Sequence, residues 1–165
     1  MRPDEVLDTL QRAGFEAWYV GGCVRDTLLG RPIHDWDVTT SALPEQVLAL
    51  FPRTVPTGLQ HGTVTVLSDS GPVEVTTYRA DGDYHDGRHP DGVRFVRSLR
   101  EDTARRDFTV NAMAMDQRGN IRDFYGGRAD LAAGILRKYL PNVRVIEAVA
   151  SPEFRGGVDI WVPGT

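Results

Sequence analysis

The sequence has a single cysteine among its 165 residues and no apolar run that approaches the length of a membrane span. One cysteine excludes an internal disulfide framework and a multi-cysteine zinc site, in agreement with a reducing cytosol. A transmembrane helix needs ~20 apolar residues, and the amino terminus lacks a signal-peptide pattern. We therefore expect a cytoplasmic protein that does not bind membranes, with Cys23 as a small buried residue.

An excess of positive charge is also lacking, because 19 Lys and Arg residues stand against 23 Asp and Glu residues, for a net charge of −4. A field of this sign does not attract a polyanion to the whole molecule, so contact with nucleic acid requires a local basic patch. One candidate is a cluster of five arginines: Arg94, Arg97, Arg100, Arg105 and Arg106.

The sequence does contain 17 glycines and 10 prolines between short hydrophobic patterns, which is typical of one globular domain with many turns. Spacing and capping signals predict helices at 4–13, 24–29, 44–51 and 127–136, and one that begins at 98 and carries Arg105 and Arg106 near its far end. Alternation and β-branched residues predict strands at 17–20, 35–39, 63–67, 73–78, 112–115 and 121–124. Hairpin-linked strands with few helices indicate an α+β fold with a mixed or antiparallel sheet.

Two aspartates in the second predicted strand are the first sign of chemistry. Asp35 and Asp37 are two residues apart, a spacing that projects both carboxylates from the same face of a strand. Such a pair can hold divalent ions that lower the pKa of an attacking hydroxyl and neutralise charge on a leaving pyrophosphate. Taken alone, the same pattern is more often a solvated strand edge.

A glycine pair stands upstream of these aspartates. A turn at Gly21 and Gly22 exposes backbone N–H groups that can cradle phosphate oxygens. The guanidinium of Arg25, three residues further on, can fork onto a triphosphate. The alternative is a structural turn with a surface ion pair between Arg25 and Asp26.

These segments resemble the tRNA nucleotidyltransferase and poly(A) polymerase family, class II, in its amino-terminal head domain. The opening motif is YVGGCVRDTLLG at 19–30 followed by DWD at 35–37. Further matching segments are QHGT at 60–63, EVTTYR at 74–79, ED at 101–102, RRDFTVNAMA at 105–114, and the end-of-head segment from 123 to 137. The resemblance therefore covers residues 1–137, which we predict to be the head domain.

The resemblance implies a DNA polymerase beta-like nucleotidyltransferase fold and Mg²⁺-dependent transfer of AMP or CMP, from ATP or CTP, to an RNA 3′ end, with tRNA as one candidate acceptor. It implies that Asp35 and Asp37 bind the metal and are catalytic. Glu74 is our candidate for a third catalytic carboxylate, although a strand glutamate that faces solvent is nearly as good a reading. The implied nucleotide-binding residues are Gly21, Gly22, Arg25, Arg106 and Asp107.

Two other segments bear on this assignment. The polar stretch 80–92 resembles the family's flexible loop, and we read His85 and His89 within it as solvated residues rather than a metal pair. The family continues into helical neck, body and tail domains, whereas residues 138–165 do not resemble the neck and contain strand-like patterns at 143–146 and 158–162. Such a tail can extend a sheet edge or pair two subunits as a homodimer.

Two hypotheses about function remain at this point. The chain is either an enzyme that transfers a nucleotide, or a non-catalytic module that binds a nucleotide or RNA.

Overall fold

The computed structural model describes residues 1–81, 93–138, 146–150 and 160–161. In chain order the elements are α1 (Pro3–Arg12), β1 (Ala17–Val20), α2 (Gly22–Leu28), β2 (Trp36–Thr40), α3 (Pro44–Leu50), β3 (Thr54–Gly58), β4 (Thr63–Ser68), β5 (Gly71–Thr77), β6 (Arg79–Asp81), β7 (Val93–Phe95), α4 (Leu99–Ala104), β8 (Met113–Met115), β9 (Ile121–Asp123), α5 (Gly127–Ala133), β10 (Ile135–Lys138), β11 (Ile146–Ala150) and β12 (Ile160–Trp161). Within these residues, every helix is too short or too polar to cross a bilayer.

Seven strands form the central sheet, in the order β3-β4-β5-β2-β1-β8-β9. All neighbouring strands are antiparallel except β2 and β5, which are parallel. The sheet is therefore mixed, and the predicted α+β class is confirmed. Two smaller sheets accompany it: β6 pairs with β7, and β11 lies between β10 and β12.

The two faces of the central sheet carry different cores, because successive side chains of a strand point to opposite faces. Tyr19 and Val38 are register partners that lie in the main core with α1, which buries Val6, Leu7 and Leu10 at helical spacing. The other face packs against α4 through a second cluster: Val20, Tyr78, Leu99 and Ala114. Cys23 is buried in the main core, as predicted.

The central elements lie close to their predicted positions, but the secondary structure at the end of the head segment differs from the prediction. The predicted helix at 127–136 is wrong beyond Ala133, because Gly134 adopts φ +69° and ends α5. Residues 135–138 instead form β10, antiparallel to β11. Strand β3 was not predicted, since Pro56 and Gly58 weaken its strand pattern.

Some predictions concern residues outside the described ones. His85, His89 and most of the polar stretch 80–92 are among these; at the base of that stretch, β6 pairs with β7. In the tail, strands occur at Ile146–Ala150 and Ile160–Trp161, the second of them inside the predicted strand 158–162. The first begins where the predicted strand 143–146 was expected to end.

Candidate functional site

Three carboxylates meet where β2 begins. Asp35 is exposed immediately before β2, and Asp37 is the second residue of that strand. Glu74 on the parallel neighbour β5 is the register partner of Asp37, so both side chains leave the same face of the sheet. Together with Trp36 and Pro72, the three carboxylates line an open cleft of about 350 Å³. The structure thus brings together all three carboxylates that the sequence singled out.

The three carboxylates place several negative charges close together in the cleft. The pKa of Asp37 is raised to about 6, first by burial and then by the charge of Glu74. Asp35 raises this pKa further, whereas the guanidinium of Arg106 lowers it. A bound cation would relieve the repulsion between these carboxylates.

The carboxylates fit a metal that takes part of its coordination shell from the substrate. Among the described residues, no three His, Cys, Asp or Glu side chains are arranged to hold a metal ion by themselves. Mg²⁺ is commonly bound through one or two carboxylates, with waters and substrate phosphates as its remaining ligands. Asp35 and Asp37 therefore suit Mg²⁺ in the presence of a triphosphate.

The glycine turn lies against this cleft and is held in a conformation that favours glycine. Gly21 is buried with φ +75°, and a Cβ built on it would stand 3.6 Å from Asp37 Oδ2 and 3.7 Å from Arg106 Nη1. The acidic side chain and the basic one thus converge on the same stretch of backbone. Helix α2 begins at Gly22, two residues earlier than predicted.

Arg25 is held next to the turn by two acceptors. Its Nη1 donates to Asn111 Oδ1 at 3.0 Å, and its Nε donates to Asp26 Oδ1 at 3.1 Å. A Cβ on Gly22 would lie 3.2 Å from Arg25 Nη2, so the guanidinium stands close beside the glycine pair. The ion pair with Asp26 that formed the alternative reading is therefore present, and it leaves the guanidinium beside the candidate phosphate site.

Asp107, which the resemblance implied to bind the nucleotide, forms its hydrogen bonds within its own segment. Its Oδ1 accepts from the backbone N–H of Phe108 at 2.8 Å and from Asn111 Nδ2 at 3.2 Å. It does not line the carboxylate cleft among the described residues. Its connection to the site runs through Asn111, which in turn contacts Arg25.

Arg106 follows the end of α4, which stops at Ala104 rather than extending past both arginines. Its Nη2 lies 3.4 Å from Asp102 Oδ2, and Asp102 is fully buried. The same carboxylate accepts from Thr39 Oγ1 at 3.0 Å and from the backbone N–H of Arg79 at 3.0 Å. Asp102 thus ties α4 and Arg106 to β2, the strand that carries Asp37.

Asp102 and Asn111 are the site residues that sequence reasoning did not assign a role. The spacing of Asp102 and Arg106 on a predicted helix would have indicated an i, i+4 ion pair. Asn111 and Arg25 are separated by 86 positions, and no local pattern connects them.

Comparison with known proteins agrees with this geometry. The family model of the poly(A) polymerase head domain matches residues 17–137. A CCA-adding enzyme of Lactiplantibacillus plantarum is 54% identical over 132 residues, which are 80% of this chain and 32% of that protein. The chain thus spans about a third of the length of that relative.

Solved structures with the same fold include two bound to nucleotides. The Bacillus stearothermophilus CCA-adding enzyme in complex with CTP matches with a TM-score of 0.74 and 48% identity, covering 84% of this chain and 34% of that one. A tRNA nucleotidyltransferase complexed with a primer tRNA and an incoming ATP analog matches with a TM-score of 0.64 and 28% identity, covering 82% of this chain and 39% of that one. The predicted DNA polymerase beta-like fold is thereby confirmed. Over residues 17–137, the chain belongs to the family of poly(A) polymerase head domains.

Proposed function

We propose that this chain is a Mg²⁺-dependent nucleotidyltransferase domain that transfers AMP or CMP, from ATP or CTP, to the 3′ end of an RNA, with tRNA as the acceptor. One observation carries the proposal: a Cβ built on the buried Gly21 would stand within 4 Å of both Asp37 and Arg106. A metal-binding carboxylate and a phosphate-binding guanidinium thus share one backbone turn. Nucleotidyl transfer requires this combination, because metal and triphosphate are bound together.

Each group has a distinct role in this mechanism. Asp35 and Asp37 would hold Mg²⁺, which when bound lowers the pKa of the RNA 3′ hydroxyl and neutralises charge on the departing pyrophosphate. Arg25 and Arg106 bind triphosphate oxygens, since a guanidinium matches phosphate geometry with paired donors. Arg106 also lowers the pKa of Asp37 and so favours the charged carboxylate that a metal requires.

The test is the transfer activity of Asp37→Ala, measured with radiolabelled ATP or CTP, Mg²⁺ and a tRNA that lacks its 3′ end. We expect elongation by the natural chain and loss of elongation in the variant, with an unchanged circular dichroism spectrum. Glu45→Ala is the control, because Glu45 is an exposed carboxylate on α3, away from the cleft. Elongation by Asp37→Ala would refute the metal assignment. Triphosphate binding without elongation in the natural chain would favour a non-catalytic binding module.

The tail supports a further proposal, that two copies of the chain associate through it. In the described residues, β10 and β12 are the edge strands of the tail sheet. An edge strand presents unpaired N–H and C=O groups that can pair with a second chain.

A further inference from the structure

A second cleft, of about 270 Å³, lies on the α4 face of the central sheet. Six of its residues matter here, and we call the site the Arg–aromatic cleft: Glu16, Trp18, Arg97, Arg100, Arg122 and Phe124. None of them lines the carboxylate cleft, and the proposed transfer chemistry uses none of them.

The Arg–aromatic cleft is locally basic on a chain of net charge −4. Arg97, Arg100 and Arg122 are all exposed. None of their guanidinium groups forms an ion pair with another described residue. The acidic residue of the cleft, Glu16, accepts a hydrogen bond from the Tyr78 hydroxyl at 3.3 Å. Three cations beside one carboxylate leave an excess of positive charge that suits a polyanion.

Aromatic rings alternate with these cations. Arg122 Cζ lies 5.7 Å from the centre of the Trp18 ring, and Arg100 Cζ lies 5.8 Å from the centre of the Phe124 ring. Phe124 is 38% exposed, so part of its ring is open to solvent at the cleft. Rings and guanidinium planes next to one another provide surfaces on which an unpaired base can stack.

The position of the cleft relates it to the carboxylates. Trp18 is the register partner of Thr39, which lies two residues beyond Asp37 on β2, so all three side chains leave the same face. Along the strand this separates Trp18 from Asp37 by roughly 7 Å. Helix α4 joins the two sites, because Arg100 near its start lines the cleft and Arg106 beyond its end stands by Asp37.

We infer that the Arg–aromatic cleft binds single-stranded RNA, with phosphates on the three guanidinium groups and an unpaired base against Phe124. Stacking surfaces favour a single strand, because the bases of a duplex are already stacked on one another. The inference rests on the proposed function for one point, that RNA is the acceptor. The cleft then holds a segment of that RNA upstream of the 3′ end.

The experiment measures binding without chemistry. Fluorescence anisotropy follows an unstructured RNA of ~12 nucleotides, a length within the range of single-strand sites, in EDTA and at several salt concentrations. We expect Arg122→Ala to weaken binding and to reduce the dependence of log K on log salt by about 0.7, the contribution of one phosphate contact on a single strand. Phe124→Ala should weaken binding about fivefold or more with an unchanged salt dependence, because stacking releases no counterion.

Matched variants keep the test decisive. Arg118→Ala removes the same charge from the exposed turn of the β8–β9 hairpin, outside the cleft, and should bind RNA as the natural chain does. Arg122→Lys keeps the charge and should retain the salt dependence, which separates the loss of a contact from misfolding. Absent binding by the natural chain, or equal binding by the cleft variants and the natural chain, would overturn the inference. Asp37→Ala should lose transfer but bind RNA normally, because Asp37 does not line the Arg–aromatic cleft. If the natural chain binds RNA through the cleft but does not transfer a nucleotide, the proposed function alone is refuted.

Discussion

Asp37 is the residue at which the proposed metal-binding role and the stability of the fold conflict. Its pKa is raised to about 6 in the folded protein, against an ordinary value of 3.8. The folded state therefore binds the proton more tightly than the unfolded state does. As the pH rises from about 4 to about 6, the charged carboxylate progressively destabilises the fold, by 1.36 kcal/mol for each unit of pKa difference.

We predict that Asp37→Asn stabilises the metal-free protein at pH 8 by about 1–3 kcal/mol, because the amide removes the charge and keeps the size of the side chain. Urea denaturation in EDTA measures the difference, which should shrink towards zero near pH 4. Glu45→Gln neutralises an exposed carboxylate on α3, outside the cleft, and should change the stability little. A variant that is equally stable or less stable than the natural chain at pH 8 would contradict the repulsion among Asp35, Asp37 and Glu74.

Arg25 is the residue whose role can be tested by ligand binding alone. We predict that Arg25→Ala weakens ATP binding by ~1.5–3 kcal/mol, the range for hydrogen bonds to charged groups. Asn111→Ala should produce a smaller loss, because it removes the acceptor that orients the guanidinium at 3.0 Å but leaves its charge. Calorimetry measures both, and Arg128→Ala on the exposed side of α5 is the control. Unchanged affinity in Arg25→Ala would mean that the phosphate-binding role is wrong.

Among the elements, helix α5 fixes the position of part of the site through its packing. It packs against the short 3₁₀ turn of residues 109–111, and a Cβ on Gly127 would stand 2.2 Å from the carbonyl oxygen of Thr109. The Thr109 hydroxyl donates to Asp130 Oδ2 at 2.5 Å, which joins the helix and the turn a second time. The turn also carries Asn111, so the packing of α5 determines where the acceptor for Arg25 lies.

We predict that Gly127→Ala destabilises the protein by about 2–4 kcal/mol, although alanine is the better helix former, because the added methyl group overlaps a backbone carbonyl that cannot rotate away. Urea denaturation measures the loss, and ATP affinity should fall with it as Asn111 is displaced. Arg128→Ala, the next residue along the same helix, should have little effect on stability. A stability equal to that of the natural chain would show that α5 can shift at no cost.

At the scale of the whole molecule, we expect the tail sheet to associate with a second copy of the chain. We predict that light scattering on the full chain shows a dimer whose fraction rises with concentration. Ile135→Lys places a charge on edge strand β10 and should favour the monomer, since charged edge residues oppose strand pairing. Leu59→Lys introduces the same charge at an exposed apolar residue far from β10 in the sequence and should leave the dimer intact. A monomer at every concentration would exclude the association.

The sequence by itself determined the local features of this protein. The 3.6-residue spacing of Val6, Leu7 and Leu10 made α1 amphipathic. The two-residue spacing of Asp35 and Asp37 predicted that their carboxylates lie together, and both line the carboxylate cleft. The left-handed turn at Gly21 likewise follows from the residue type, because glycine adopts positive φ without steric cost. These properties depend on neighbours within a few positions, and they sufficed to indicate the family.

The tertiary structure decided what depends on distant residues. Glu74 joins Asp37 only because β2 and β5 pair in parallel and in one register, and a slip of one residue would send Glu74 to the other face. Arg25 meets Asn111 only because α2 and the 3₁₀ turn are brought together across the fold. Ile135 and Leu136 are followed by two basic residues, a pattern that suits a helix or a strand, and pairing with β11 made residues 135–138 a strand. Such choices are settled by the burial and backbone hydrogen bonds of the whole fold, which local spacing does not encode.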